Sequence, residues 1–212
     1  MKKFSIKNLV LGTVQTNTYI MSNTVAKEAI VFDPADDSEA IEEYLKANDL
    51  VCKAILLTHG HFDHIIAARE LSKHTQAPIY AHEDEVKLLE DPDMNASALF
   101  GERCSLTPDL FVKDQEILNL AGFSFQVLHT PGHTLGGVCY YCSEHEVLMS
   151  GDTLFRESIG RTDLPTGNGR VLIHSIKEKL MKLEDQVVVY PGHGMPTTIG
   201  YERKHNYYIL HN

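Results

Sequence analysis

Tryptophan is absent from the chain and cysteine is scarce, with four in 212 residues. Cys52, Cys104, Cys139 and Cys142 are too few and too scattered for the disulfide framework of a secreted protein, so a reducing cytoplasm is the expected compartment. Long hydrophobic runs are also missing. The uncharged apolar stretches, such as residues 54–57, fall far below the ~18 residues a transmembrane helix needs. Residues 1–4 begin like a secretion signal, but Lys7 interrupts the apolar stretch and no small-residue cleavage site follows, so the start reads as mature protein. Nor is there a basic run. Nineteen Lys and Arg against 29 Asp and Glu give a formal charge of −10, which disfavours nucleic acid and anionic membrane as partners. No repeat, low-complexity tract or Pro/Gly/Ser linker divides the sequence, and residues 1–212 are read as a single domain.

What is present is the composition of a globular protein, 43% hydrophobic and 23% charged, which sets aside disordered and fibrous classes. Residues 4–10, 17–21 and 29–32 are rich in Val, Ile, Phe and Tyr and predict a meander of strands. Ser38 is the expected N-cap of a helix over 39–47. A buried strand over 53–57, a helix over 65–73, a short strand over 79–81 and a helix over 83–89 follow. Later, 123–128, 138–142, 147–149 and 186–190 read as strands and 171–183 as an amphipathic helix. Hairpins early and helical connections later imply sheets with helices packed outside them.

Twelve histidines is a high count, and they collect with Asp and Gly where strands end. After the apolar run 54–57 comes Thr58-His59-Gly60-His61-Phe62-Asp63-His64, four potential ligands in six residues. His59 and His61, two apart on extended chain, project the same way, while Asp63 and His64 sit at the turn into a helix. Further ligands must come from elsewhere, because a divalent metal needs several imidazole or carboxylate donors and a catalytic one keeps a position open for water. Thr130-Pro131-Gly132-His133-Thr134, Ser150-Gly151-Asp152-Thr153 and Tyr190-Pro191-Gly192-His193-Gly194 supply candidates, with Pro and Gly allowing a sharp turn beside each. His129 is read as core or as a support to these ligands. His74, His82, His145, His174, His205 and His211 match no ligand motif. The Cys139-x-x-Cys142 pair lies inside a predicted strand and is read as structural.

In this order, from Asn17 and Asp33-Pro34 through His59 to His64, His133, Asp152 and His193, the motifs resemble those of the metallo-β-lactamase superfamily, and most closely its hydroxyacylglutathione hydrolase (glyoxalase II) branch. The resemblance implies an α/β (α+β) fold: a four-layer αββα sandwich of two mixed β-sheets flanked by helices, with a binuclear centre along one sheet edge. It assigns His59, His61 and His133 to the first metal, Asp63, His64 and His193 to the second, and Asp152 to both. Zinc comes first among the expected metals, with iron and manganese as alternatives.

Two such cations can share a hydroxide formed at neutral pH, and Asp63 is placed to orient it. A thiolate leaves with little acid assistance, so the expected reaction is hydrolysis of a small-molecule thioester. Arg161 matches a basic family position that meets the glycine carboxylate of glutathione, but Asp163 stands where glyoxalase II has an aromatic contact. The 19 residues after His193 can make one helix and no separate glutathione-binding domain. β-Lactamases of the family commonly have Cys at the position of Asp152 and lack the His at position 64, which disfavours antibiotic hydrolysis. Two rival readings remain. One is a persulfide dioxygenase using a single Fe(II) on His59, His133 and Asp152, since those enzymes share a Gly-Arg-Thr-Asp stretch like residues 160–163. The other is a non-enzymatic metal-binding scaffold.

Overall fold

The computed structural model describes residues 4–100 and 103–211. The chain opens with an antiparallel meander, β1 (Phe4–Leu11), β2 (Thr16–Asn23) and β3 (Glu28–Phe32). After α1 (Ser38–Ala47), strand β4 (Val51–Leu56) joins parallel to β3. Short α2 (Phe62–Ile65) and α3 (Ala68–Thr75) lead to β5 (Ile79–His82). α4 (Val86–Glu90) and α5 (Ser97–Phe100) then lead to β6 (Leu110–Val112), completing a six-stranded mixed sheet in the order 1-2-3-4-5-6. Parallel neighbours need crossovers, which places helices on the outer face.

The second sheet begins with antiparallel β7 (Ile117–Leu120), β8 (Phe123–His129), β9 (Val138–Cys142) and β10 (Val147–Gly151). A small ribbon of β11 (Leu154–Phe155) and β12 (Ser158–Ile159) precedes α6 (Gly169–Lys179). β13 (Val188–Pro191) then lies parallel to β10, and β14 (Thr197–Thr198) closes the edge before α7 (Ile199–His205) and α8 (Tyr207–Leu210).

Strand periodicity builds the layers, because successive side chains face opposite sides. Ile30 and Phe32 of β3 point between the sheets, where they meet Phe125 and Tyr140, while Ala29 and Val31 pack outward against Ile41 and Leu45 of α1 and Leu71 of α3. On β9, Tyr140 and Cys142 face inward and Cys139 and Tyr141 face Leu172 and Ile176 of α6. The result is the four-layer αββα sandwich. At ~1.5–3 kcal/mol for each large apolar side chain buried, the layer between the sheets and the two helix-covered faces all contribute to stability. Among the described residues no helix is long and apolar enough to cross a membrane.

Several local expectations need correction. The N-cap of α1 is Asp37, not Ser38: Asp37 adopts a left-handed conformation (φ 48°) and its carboxylate accepts the Ala40 N–H at 3.0 Å. The helix expected over 65–73 is two helices, α2 and α3, broken at residues 66–67. The one expected over 83–89 starts as a 3-10 turn, Glu83–Glu85, before α4. The long helix over 171–183 is α6, capped by Asn168 and prolonged by a 3-10 turn, Leu180–Lys182. After His193 the chain forms two short helices, α7 and α8, instead of one. Cys139 and Cys142, three apart on a strand, lie on opposite faces and no disulfide joins them.

Candidate metal centre

The topology brings five chain segments to one rim. β3 and β4 run parallel, so Asp33 and Thr58 emerge together, and β8, β10 and β13 point their C-terminal ends the same way. Cross-sheet hydrogen bonds align the two rims. Val138 N–H donates to Thr58 O at 2.8 Å, and Tyr140 Oη donates to Leu57 O at 2.8 Å. Asn17, where β2 begins, donates its backbone N–H to Gly192 O at 2.7 Å and its side-chain amide to Pro191 O and Gly194 O, each at 2.9 Å.

His59, His61 and His133 are buried and their ligand atoms converge. His133 Nε2 lies 3.2 Å from His59 Nε2 and 2.9 Å from His61 Nδ1. The outer hydrogen bonds fix the tautomers. His133 Nδ1 faces the Arg161 carbonyl at 2.7 Å and must donate to it. Thr58 Oγ1 gives its hydrogen to Asp33 Oδ2 at 2.6 Å, so it accepts from His59 Nδ1 at 3.1 Å. His133 and His59 therefore turn two bare lone pairs toward each other, an arrangement that repels unless a cation sits between them. Burial, followed by neighbouring imidazoles, holds His59 below the usual histidine range and pushes His61 down to about 3. Neutral imidazole is the form that binds metal.

Asp63, His64 and His193 form the second group. His64 is fully buried with Nδ1 3.0 Å from Asp33 Oδ2, so Nε2 faces Asp63 at 3.5 Å and Asp152 at 3.4 Å. His193 Nε2 lies 3.2 Å from Asp63 Oδ2. Asp152 stands between the groups, with Oδ2 3.6 Å from His133 Nε2 and 3.5 Å from His193 Nε2. Burial opposes charge on these carboxylates most strongly, but His64 together with His193 and the Thr16 hydroxyl outweighs it at Asp63, and His64 together with His133 and His193 at Asp152, so both lie below the usual range. The same carboxylates, with Asp33, raise His64 against its own burial.

The donor set fits two divalent cations. His61 Nε2, His64 Nε2 and Asp152 Oδ1 are buried without a hydrogen-bond partner, a costly state for polar atoms that coordination or its immediate surroundings would relieve. Space is reserved as well. A Cβ on Gly192 would collide with Asp152 Oδ1 and come within 2.6 Å of His64 Cε1, so only glycine lets the turn after β13 pass this close. The structure thus assembles all seven residues expected as ligands.

Arg161 lies at the rim in a dual role. Its carbonyl orients His133, while its side chain makes a two-pronged pair with Asp163, Nε to Oδ1 and Nη2 to Oδ2, both at 2.8 Å. His129 is removed from the ligand set: its ring stacks on His82 at 4.1 Å and bonds the Leu135 carbonyl. With Asp84 these two form a further His/Asp grouping, in which His82 Nδ1 already accepts the Asp84 N–H.

Sequence reasoning gave no role to three residues that shape the centre. Asp33 holds both Thr58 and His64, Thr16 donates to Asp63 Oδ2 at 2.7 Å, and buried Glu85 accepts the N–H groups of Gly60 and Gly136. The Asp-Pro pair directly after a strand was a usable signal for Asp33. Glu85 carried none, since its role depends on two loops distant in the chain.

A sequence profile described as the metallo-beta-lactamase superfamily matches residues 11–193. Hydroxyacylglutathione hydrolase GloC of Haemophilus influenzae is 39% identical over 186 residues, covering 86% of this chain and 88% of that protein. Among solved structures, BLEG-1, described as a B3 metallo-beta-lactamase, matches with TM-score 0.92 and 42% identity over 97% of this chain and 99% of its own. TTHA1623, crystallised in a di-iron-bound form, matches with TM-score 0.85 and 35% identity over 95% and 99%. With the sandwich fold and the histidine-rich rim, these matches place the chain as a member of the metallo-beta-lactamase superfamily.

Proposed function

We propose that the chain is a binuclear-metal hydrolase acting on a small-molecule thioester. The observation that carries this reading is the lining of the cavity beside the centre. Among the residues that line it, the titratable side chains are the ligands His61, Asp63, His133, Asp152 and His193, together with Arg161. Among the described residues that line it there is no further histidine, lysine or tyrosine to protonate a leaving group. A thiolate, with a conjugate acid pKa near ~8.5, departs without that help, whereas an alkoxide or amide nitrogen requires it.

Divalent cations held by His59, His61 and His133, and by Asp63, His64 and His193, with Asp152 shared, would supply an ionised water at neutral pH and polarise a carbonyl. The protein's own residues prepare this. Asp33 and the Arg161 carbonyl set the imidazole tautomers, Thr16 fixes Asp63 from one side, and apolar side chains line the approach. The name of GloC supports the thioester assignment, and the di-iron relative supports two metals while leaving zinc, iron and manganese as candidates.

The description of BLEG-1 favours a second reading, opening of a β-lactam ring. Protein loaded separately with zinc, iron and manganese should be assayed on S-lactoylglutathione, simple thioesters, esters, lactones and a chromogenic cephalosporin, with metal content measured alongside. Thioester turnover at two metals per chain is expected. Turnover of the cephalosporin alone would establish the second reading. One iron per chain with oxygen uptake on glutathione persulfide would overturn both.

A further inference from the structure

Beside the centre, six apolar side chains from separate segments form one surface. Val14 comes from the β1–β2 turn, Phe62 from the start of α2, Ala96, Leu99 and Phe100 from in and around α5, and Leu164 from the loop before α6. Val14, Leu99 and Phe100 are 40%, 76% and 59% exposed, and Phe100 stacks on buried Phe62 with centroids 4.4 Å apart. Large apolar side chains held this far into solvent, clustered on one side of a polar centre, mark a binding surface. The cavity, open to solvent on one side, has a volume of about 250 Å³. At ~30 Å³ for each water-sized group, that admits roughly eight heavy atoms.

Charge decides what kind of group enters. Arg161 is the one cation lining the cavity outside the metal ligands, and Asp163 occupies its fork in the geometry by which a guanidinium holds a carboxylate. A substrate carboxylate would have to displace Asp163, which would stay beside it as a like charge. With two divalent cations bound the formal charge of −10 would fall to about −6, still a repulsive field at longer range.

We infer that this cavity is an acyl pocket for an uncharged, apolar acyl group of about six carbons, and that Asp163 sets the preference by neutralising Arg161. The inference rests on the hydrolase reading but has a separate test. The slope comes from burial: each methylene taken into the pocket improves binding about fourfold. Acetyl, butanoyl, hexanoyl, octanoyl and succinyl thioesters of N-acetylcysteamine should be compared on metal-loaded protein. In parallel, the matching S-alkyl thioethers, which cannot be hydrolysed, should be titrated calorimetrically into chelator-treated protein.

Both series should rise about fourfold per methylene up to six carbons and level off by eight, with succinyl at least tenfold below butanoyl. Phe100→Ala should flatten both slopes, and Asp163→Ala should raise succinyl turnover several-fold while changing hexanoyl little. A flat thioether series, or succinyl preferred over butanoyl by the unaltered protein, would overturn the pocket. If no thioester turns over at two metals per chain while the thioether slope persists, the hydrolase reading falls and the pocket stands.

Discussion

Glu85 Oε1 accepts the backbone N–H of Gly60 at 2.9 Å, and its other oxygen accepts that of Gly136 at 2.7 Å. Gly60 separates His59 from His61, and Gly136 follows His133 by three residues, so one buried carboxylate clips together the two loops that carry the first metal group. Glu85→Gln keeps the shape but has one acceptor oxygen, leaving one N–H facing an NH₂. Metal affinity measured by competition with a chromogenic chelator should fall roughly 10–100-fold, the usual cost of disturbing a ligand's support, with the far-ultraviolet circular dichroism preserved. Undiminished affinity would show that the loops hold their shape without it.

Asp152 lies within 3.6 Å of His133 in the first group and of His64 and His193 in the second. Asp152→Ala should lower bound metal below one equivalent per chain by elemental analysis and reduce turnover by roughly 10³ or more, because the preorganised charge at the centre is lost. Gly192→Ala, which leaves every ligand in place but pushes a methyl group into Asp152 and His64, should lower affinity in the same assay. Full occupancy and turnover in the Asp152 variant would end its shared role.

Burial pushes the Cys52 and Cys139 thiols up to about 11. Both therefore stay protonated and unreactive at pH 8, and of the four cysteines only Cys104 is partly accessible. Aromatic disulfide reagent at pH 8 should label Cys104 first, by peptide mapping, and the other three only after denaturant. Because a raised folded-state pKa stabilises the protonated form, this stability is complete below the ordinary thiol range and is lost as pH climbs toward 11. Thermal melts should fall across that window, and less steeply in Cys139→Ser if that variant folds.

At the acid end, Asp114 receives Lys179 Nζ at 2.7 Å and the His129 N–H at 2.8 Å. Despite some desolvation, these partners hold its carboxyl below the ordinary range. A depressed folded-state pKa stabilises the ionised form, so the contribution is present above the unfolded value of about 4 and is lost as pH falls through the folded one. Asp114→Asn should lower the melting temperature by roughly 1–3 °C at pH 7, a small effect because the pair is part-exposed. The difference should vanish in strong acid.

Strand periodicity made β3 and β9 legible, since both faces of each are buried and their Val, Ile, Phe and Tyr runs advertise it. The seven side chains that converge at the rim were legible because coordination demands specific residue types at turns that immediately follow such runs. Edge strands β6 and β7 were missed for the opposite reason: Leu110, Phe111 and Ile117 are about half exposed, so their pattern lacks a buried face to declare. The break at residues 66–67 was hidden because Ile65 and Ala68 both reach the same core from separate helices, imitating one continuous apolar stripe. Asp37 outcompeted Ser38 as cap because a short carboxylate tolerates the left-handed backbone at that turn. Arg161 was chosen for its charge, yet its carbonyl touches the centre.

Asn17 ties the beginning of β2 to the carbonyls of Pro191 and Gly194, residues more than 170 positions later. During synthesis, a chain that has left the ribosome only as far as Asp152 already owns His59, His61 and His133 but has nothing to fasten this seam and no His193. The rim is consequently completed late in biogenesis: the second group of side chains is whole only once the turn after β13 has been stitched to the start of β2.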